Sequence, residues 1–201
     1  MKTALRLMAL SLLLMSFQCH EDDHDFFQNN FKVLITAQSH YTVNDTVWIE
    51  GVISSKVFDA TINDSIPLDS APFTSFSVLQ LTTPNRDSNA KDALDKFETV
   101  SDIGEISFGQ LCANADVFLA AKLSSDQRFY RYRVGLKTLN SGDYVFVLGT
   151  ETQLVNENRN ESIIANYPIT IHPNQLGLDR CGNLSWLFVD ESEHEYYFTV
   201  N

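Results

Sequence analysis

The stretch "LNSGDY", Leu139 to Tyr144, joins two strand-like runs, the first alternating apolar and polar side chains and the second almost wholly apolar. Upstream lies "RFYRYRVGLKTL" and downstream "GDYVFVLGT". Asn, Ser, Gly and Asp in succession favour a turn, because their side chains bond nearby backbone or, for Gly, admit positive φ. Two such runs on either side of a turn read as two strands meeting at a corner. On the first strand Tyr130, Tyr132, Val134 and Leu136 share a face, as a core-facing strand arranges them. Arg131 and Arg133 then point outward, where acids on neighbouring strands can pair with them.

The same period recurs outward from the corner. "FKVLITA" places Phe31, Val33 and Ile35 on one side, and "TVWIEGVIS" sets Val47, Ile49 and Gly51 opposite Trp48 and Val52. "SFSVLQLTT", carrying Phe76, Val78 and Leu81, is a third strand; "ADVFLAAKLS" and the terminal "EYYFTVN" are further ones. Between the second and third lies "NDSIPLDSAP", a Ser/Pro/Asp loop whose prolines cannot join a central ladder. "SNAKDALDKFETV" puts Ala90, Leu94 and Phe97 at helical spacing and reads as a short helix or turn. Residues 152–193 form a long excursion before the last strand. They include "IIANYPITIH" and "SWLFVD", each a strand candidate.

With its flanking strands, "LNSGDY" resembles the tyrosine corner of immunoglobulin-like sandwiches, and "Y-x-x-x-D-T-V-x-I-x-G" from Tyr41 fits the same pattern. The resemblance implies an all-β, antiparallel Ig-like β-sandwich over residues 30–201. It has a long insertion before the last strand and at most one short helix. It also implies that the Tyr144 hydroxyl bonds back to backbone a few residues upstream and fixes the corner.

The chain begins with a short basic region, Lys2 and Arg6, followed by an apolar run of about ten residues, "LMALSLLLMSF". Spanning a bilayer takes about 20, so residues 1–18 read as a secretory signal. Cys19 follows directly, and then the acids Glu21, Asp22, Asp23 and Asp25. These residues resemble the lipobox and acidic export tag of Bacteroidota surface lipoproteins, with Ser16 and Gln18 departing from the usual pattern. The resemblance implies a lipid on Cys19, a flexible acidic tether over residues 19–29, and an outer-membrane, surface-exposed location. Each buried methylene of such a lipid would contribute about 0.8 kcal/mol to anchoring.

Removing the signal takes away Lys2 and Arg6, so 12 basic residues stand against 26 acidic ones, a net charge of −14. So acidic a surface repels phosphates and sets nucleic-acid binding aside. The remaining cysteines, Cys112 and Cys181, suggest one disulfide in an exported chain, worth roughly 4 kcal/mol on the chain-entropy model. Two buried free thiols are the alternative.

"HEDDH", His20 to His24, spells the H-E-x-x-H zinc string. That chemistry needs a helix holding both histidines on one face, and here the string opens a tether. No G-x-S-x-G elbow, Walker loop or G-x-G-x-x-G occurs. His40, His172 and His194 lie apart without ligand spacing, and no cofactor or metal is implied. The acids Asp190, Glu191, Glu193 and Glu195 read as a solvated turn. "DSI" and "DSA" resemble the O-glycosylation acceptor of exported Bacteroidota proteins, which points to Ser65 and Ser70. The expectation is a non-catalytic, surface-anchored binding or assembly module with a protein or glycan ligand. The alternatives are a carbohydrate-binding lipoprotein resting on Trp48, Trp186 and the tyrosines, or a hydrolase using the C-terminal acids.

Overall fold

The computed structural model describes residues 25–201 apart from 39, 111, 113, 157–160, 171, 172, 174, 181, 182 and 188–193, and apart from the side chains of 161, 179 and 183–187. In chain order the first strands are β1 (Phe26–Phe27), β2 (Phe31–Ile35), β3 (Thr46–Ser54), β4 (Lys56–Asp59), β5 (Asp64–Pro67) and β6 (Phe73–Leu81). Next come β7 (Ala90–Asp92), a 3-10 turn (Leu94–Lys96), β8 (Phe97–Ile103), β9 (Glu105–Phe108), β10 (Asp116–Ala120) and β11 (Lys122–Leu123). The rest are β12 (Phe129–Thr138), β13 (Gly142–Leu148), β14 (Thr152–Leu154), a helix (Glu161–Ile164), β15 (Leu176–Arg180), β16 (Asn183–Leu187) and β17 (Glu195–Val200). No helix among the described residues is long and apolar enough to cross a membrane.

Two large sheets face each other. The first has the order β14-β2-β3-β12, with β8 and β11 sharing the far edge of β12. The second is built on β6: β13 and then β17 lie on one side, while β10 and β7 divide the other, along 73–77 and 79–81 respectively. The order β2-β3-β12-β8 against β17-β13-β6 is the ABED and GFC arrangement of an immunoglobulin-like sandwich. Most pairs are antiparallel; β14 with β2 and β15 with β7 are parallel.

Alternation follows the sheet. On β3, Val47, Ile49 and Ile53 are buried, and they face Leu136, Val134 and Tyr130 of β12. Gly51 lies opposite Tyr132, and a Cβ there would sit 2.2 Å from the phenol ring. Only glycine lets that ring lie across the strand. Tyr144, Phe146 and Phe198 complete the core from the other sheet and meet Phe97 of β8, with ring centroids as close as 4.6 Å.

β13 and β17 are buried on both faces, because the insertion folds back over the second sheet. Leu79, Val145 and Tyr197 point outward into a second core with Ile163, Ile164, Leu176 and Leu178. Asn89, fully buried, fixes that layer. Its side-chain amide donates to the carbonyls of Tyr167 (2.7 Å) and Gln175 (2.9 Å), and its Oδ1 accepts from the Gly177 N–H at 3.0 Å.

The short helix or turn expected around Ala90, Leu94 and Phe97 is the 3-10 turn Leu94–Lys96, where the chain crosses between sheets from β7 into β8. Two local expectations are corrected. In its described part, residues 163–170, "IIANYPITIH" is not a strand; its start continues the short helix, which drives Ile163 and Ile164 into the second core. The tether expected over residues 19–29 is paired at its end: β1 adds to the β4–β5 hairpin, and the Ala60 N–H donates to the Asp25 carbonyl at 3.0 Å.

Candidate functional site

The segment linking β1 to β2, Gln28-Asn29-Asn30, forms one wall of an open cleft of about 490 Å³. The opposite wall is Leu68 to Phe73, the end of the Ser/Pro/Asp loop and the start of β6. Phe31 and Ile53, both buried, line it from the sandwich core, and Ser75 and Glu151 line the rest. A second hollow of about 330 Å³ shares Asn29, Asn30 and Ile53, with Lys32 and Phe129 added. Volumes of roughly 300–1,000 Å³ are those of small-molecule sites.

Glu151 holds the cleft together. Its Oε1 accepts from the Thr74 hydroxyl at 2.7 Å and the Ser75 N–H at 3.0 Å, and its carbonyl accepts from the Phe31 N–H at 2.9 Å. One residue thus ties the start of β6, through its carboxylate, to the start of β2, through its backbone carbonyl, across the two sheets. Behind it lies Tyr132, 2% exposed, whose hydroxyl has no hydrogen-bond partner among the described residues. Burial first, then the negative charge of Glu151, pushes that phenol well above its usual range. The side-chain amides of Gln28, Asn29 and Asn30 make no hydrogen bond among the described residues. Phe73 stands 69% exposed at the rim.

The aromatic residues singled out in the sequence lie elsewhere. Trp48 is half-buried on the outer face of the first sheet, not in the core. Its indole lies over Gly135, where a Cβ would come within 3.0 Å of the ring, and the Arg133 guanidinium sits 3.8 Å from the ring centroid. Arg133 also pairs with Glu50 (2.9 Å) and Asp102 (2.8 Å), the outward pairing its place on the strand predicts. Covered on both faces, Trp48 offers no stacking platform. Tyr132 is in the core, Tyr130 packs half-buried against it, and the Trp186 side chain lies outside the described residues.

The remaining residues divide in the same way. The Tyr144 hydroxyl donates to the Asn140 carbonyl at 3.1 Å and lies 3.4 Å from that of Ser141, the corner bond expected of it. Ser65, on β5, and Ser70, in the following loop, are exposed. Cys112 is half-buried; Cys181, Cys19, "HEDDH" and the acids Asp190, Glu191 and Glu193 lie outside the described residues. Glu195 is buried and accepts from the Tyr197 hydroxyl at 2.8 Å, so it is not part of a solvated turn. Among the described residues no three His, Cys, Asp or Glu side chains are placed to hold a metal ion.

Sequence reasoning missed Gln28, Asn29, Asn30, Phe73 and Glu151. The one available signal was three consecutive amides immediately before a strand, with a lone Phe closing a Ser/Pro loop.

The described fold and cleft define an immunoglobulin-like sandwich with a covering insertion. No family model matches the sequence, and no curated protein does. Among solved structures, the chain is similar to a cohesin module from a Clostridium perfringens family 33 glycoside hydrolase. It is 10% identical over 86% of this chain and 98% of that one, with a TM-score of 0.33. A likeness of that degree adds nothing to the argument.

Proposed function

We propose that this is an exported, lipid-anchored, non-catalytic binding or assembly module of the bacterial cell envelope, held by Cys19 at the outer-membrane surface. The observation that carries the binding role is the cleft, whose lining presents hydrogen-bonding groups that the fold itself does not use. Among the described residues, Glu151 is the one titratable side chain lining it, and its Oε1 is already committed to Thr74 and Ser75. General acid–base hydrolysis of a glycoside would take two opposed carboxylates. The anchor is consistent with this placement. Asp25 lies six positions after Cys19, a reach of at most about 22 Å at 3.3–3.6 Å per residue. The cleft begins three residues later, so a lipid on Cys19 would hold it close to the bilayer.

Metabolic labelling with a lipid precursor tests the anchor. Label should enter the wild-type chain and be absent from Cys19→Ala; label that survives the substitution would sink the reading. A Cys112–Cys181 disulfide belongs to the same proposal. Its support is that Arg180, next to Cys181, bonds Asp116, four residues beyond Cys112, at 3.0 Å. Alkylation without prior reduction should leave both thiols unlabelled. O-glycans on Ser65 and Ser70 are supported by their exposure, and an intact mass equal to the bare mature lipoprotein would remove that part.

A further inference from the structure

We infer that the cleft between Gln28–Asn30 and Phe73 is a binding site for a neutral glycan. The inference rests on the binding-module reading and gives that site its ligand class.

The open polar groups of the cleft include the side-chain amides of Gln28, Asn29 and Asn30. Ser75 N–H is held by Glu151 Oε1, the Ser75 carbonyl by the Gly149 N–H at 2.8 Å, and the Pro72 carbonyl by the Ala121 N–H at 3.1 Å. Ser75 is thus closed to an extended peptide, while the backbone of Gln28–Asn30 makes no hydrogen bond among the described residues, so a strand-forming peptide is the competitor the test must exclude. Beside that backbone stand three side-chain amides, each carrying donors and an acceptor. Sugar hydroxyls also donate and accept, so such amides match them in either direction. Phe73, with 69% of its surface exposed, supplies an apolar face beside them. A pyranose ring has a C–H face that suits it.

Charge selects within the class. The cleft carries one carboxylate and belongs to a mature chain of net charge −14, so uronates, sulfates and phosphates are repelled.

The test uses the mature chain with Cys19→Ala, so that no lipid is attached, and calorimetric titration with cello-, malto-, manno- and xylotetraose. Tetragalacturonate and a hexapeptide of alternating Thr and Val serve as the acidic and strand-forming probes. At least one neutral tetraose should bind saturably. Phe73→Ala should weaken it about tenfold or more, and Asn30→Ala about three- to tenfold, as for loss of one hydrogen bond. Both variants should keep the wild-type melting temperature, since neither side chain is part of the core. The inference is overturned by no saturable neutral binding, by binding indifferent to both substitutions, or by preference for the tetragalacturonate or the peptide. Lipid labelling reads the anchor separately, so either conclusion can fail alone.

Discussion

Replacing Asn89 tests whether the insertion is a docked layer of the fold or loose decoration. Its side chain makes three hydrogen bonds at full burial, to the Tyr167 and Gln175 carbonyls and from the Gly177 N–H. Its backbone also donates to the Gly177 carbonyl and accepts from the Thr82 N–H. At about 1 kcal/mol net per bond, Asn89→Ala loses about 3 kcal/mol. Groups left buried and unpaired add to that, up to about 5 kcal/mol, unless water enters the gap. Asn89→Asp should be no milder: it keeps an acceptor for Gly177 but turns a carboxylate toward two carbonyls. Against a total of about 5–15 kcal/mol for a domain this is a large fraction. Urea unfolding followed by circular dichroism gives the loss. Hydrogen exchange then tells where it falls, with β15 amides speeding up by more than those of β3 and β12. A loss under about 1 kcal/mol for the alanine variant, with β15 exchange unchanged, would refute the clamp.

Three further outcomes follow from the geometry. Tyr144→Phe removes the corner bond to Asn140, an exposed residue whose carbonyl water can reach, so the denaturation midpoint should fall by an equivalent of about 0.5–1.5 kcal/mol. A loss beyond about 3 kcal/mol would mean the hydroxyl does more than this bond. Gly135→Ala would place a methyl 2.7 Å from Thr46 Cγ2 and 3.0 Å from the Trp48 ring, lifting the indole from under Arg133. About 1–2 kcal/mol should be lost, with a changed near-ultraviolet dichroism band, and an unaltered band would count against the clamped indole. Burial first, then the bond and charge of Asp143, push the Tyr167 phenol up to about 12. The unfolded chain releases that proton near pH 10. The native state therefore holds it longer, and the stabilisation present below pH 10 is lost as pH rises from about 10 to about 12. Urea midpoints across that window should fall less steeply in Tyr167→Phe; equal slopes would refute the assignment.

How much of this was legible in the sequence depended on which faces of a strand meet water. β3 and β12 read clearly because one face packs in the core while the other carries Glu50, Arg131, Arg133 and Lys137 in solvent or half-buried. β13 and β17 alternate poorly because both faces are covered, Phe146 and Phe198 by the main core and Val145 and Tyr197 by the second. The corner could still be located, because Tyr144 depends on a local bond four residues back. Ala90, Leu94 and Phe97 disclosed the short turn but not the crossing around it. Ala90 belongs to the second core and the other two to the first, so a helical interval recorded passage between layers. The cleft has no periodic signature at all. Its amides precede β2, its Phe73 follows a Pro-rich loop, and Glu151 comes from the start of the insertion, so only the fold brings them together.

The covering of the sheets also argues for where ligand can approach. The outer face of the first sheet is roofed around Trp48 by Arg133, itself held between Glu50 and Asp102. The outer face of the second is roofed from Leu79 onward by the insertion, and Arg180 extends that cover to Ser77 and Asp116. What stays uncovered along β6 is its beginning, at Phe73 and Ser75, which is the rim of the cleft. Exposing an aromatic ring there gains nothing for folding, since Phe73 contributes to neither core. The fold instead uses Glu151 to brace the backbone on both sides of it, a rigidity that a binding site needs and a solvent loop does not. Rigid backbone, unused amides and an exposed ring within one hollow are the features that separate a site from a gap in the packing.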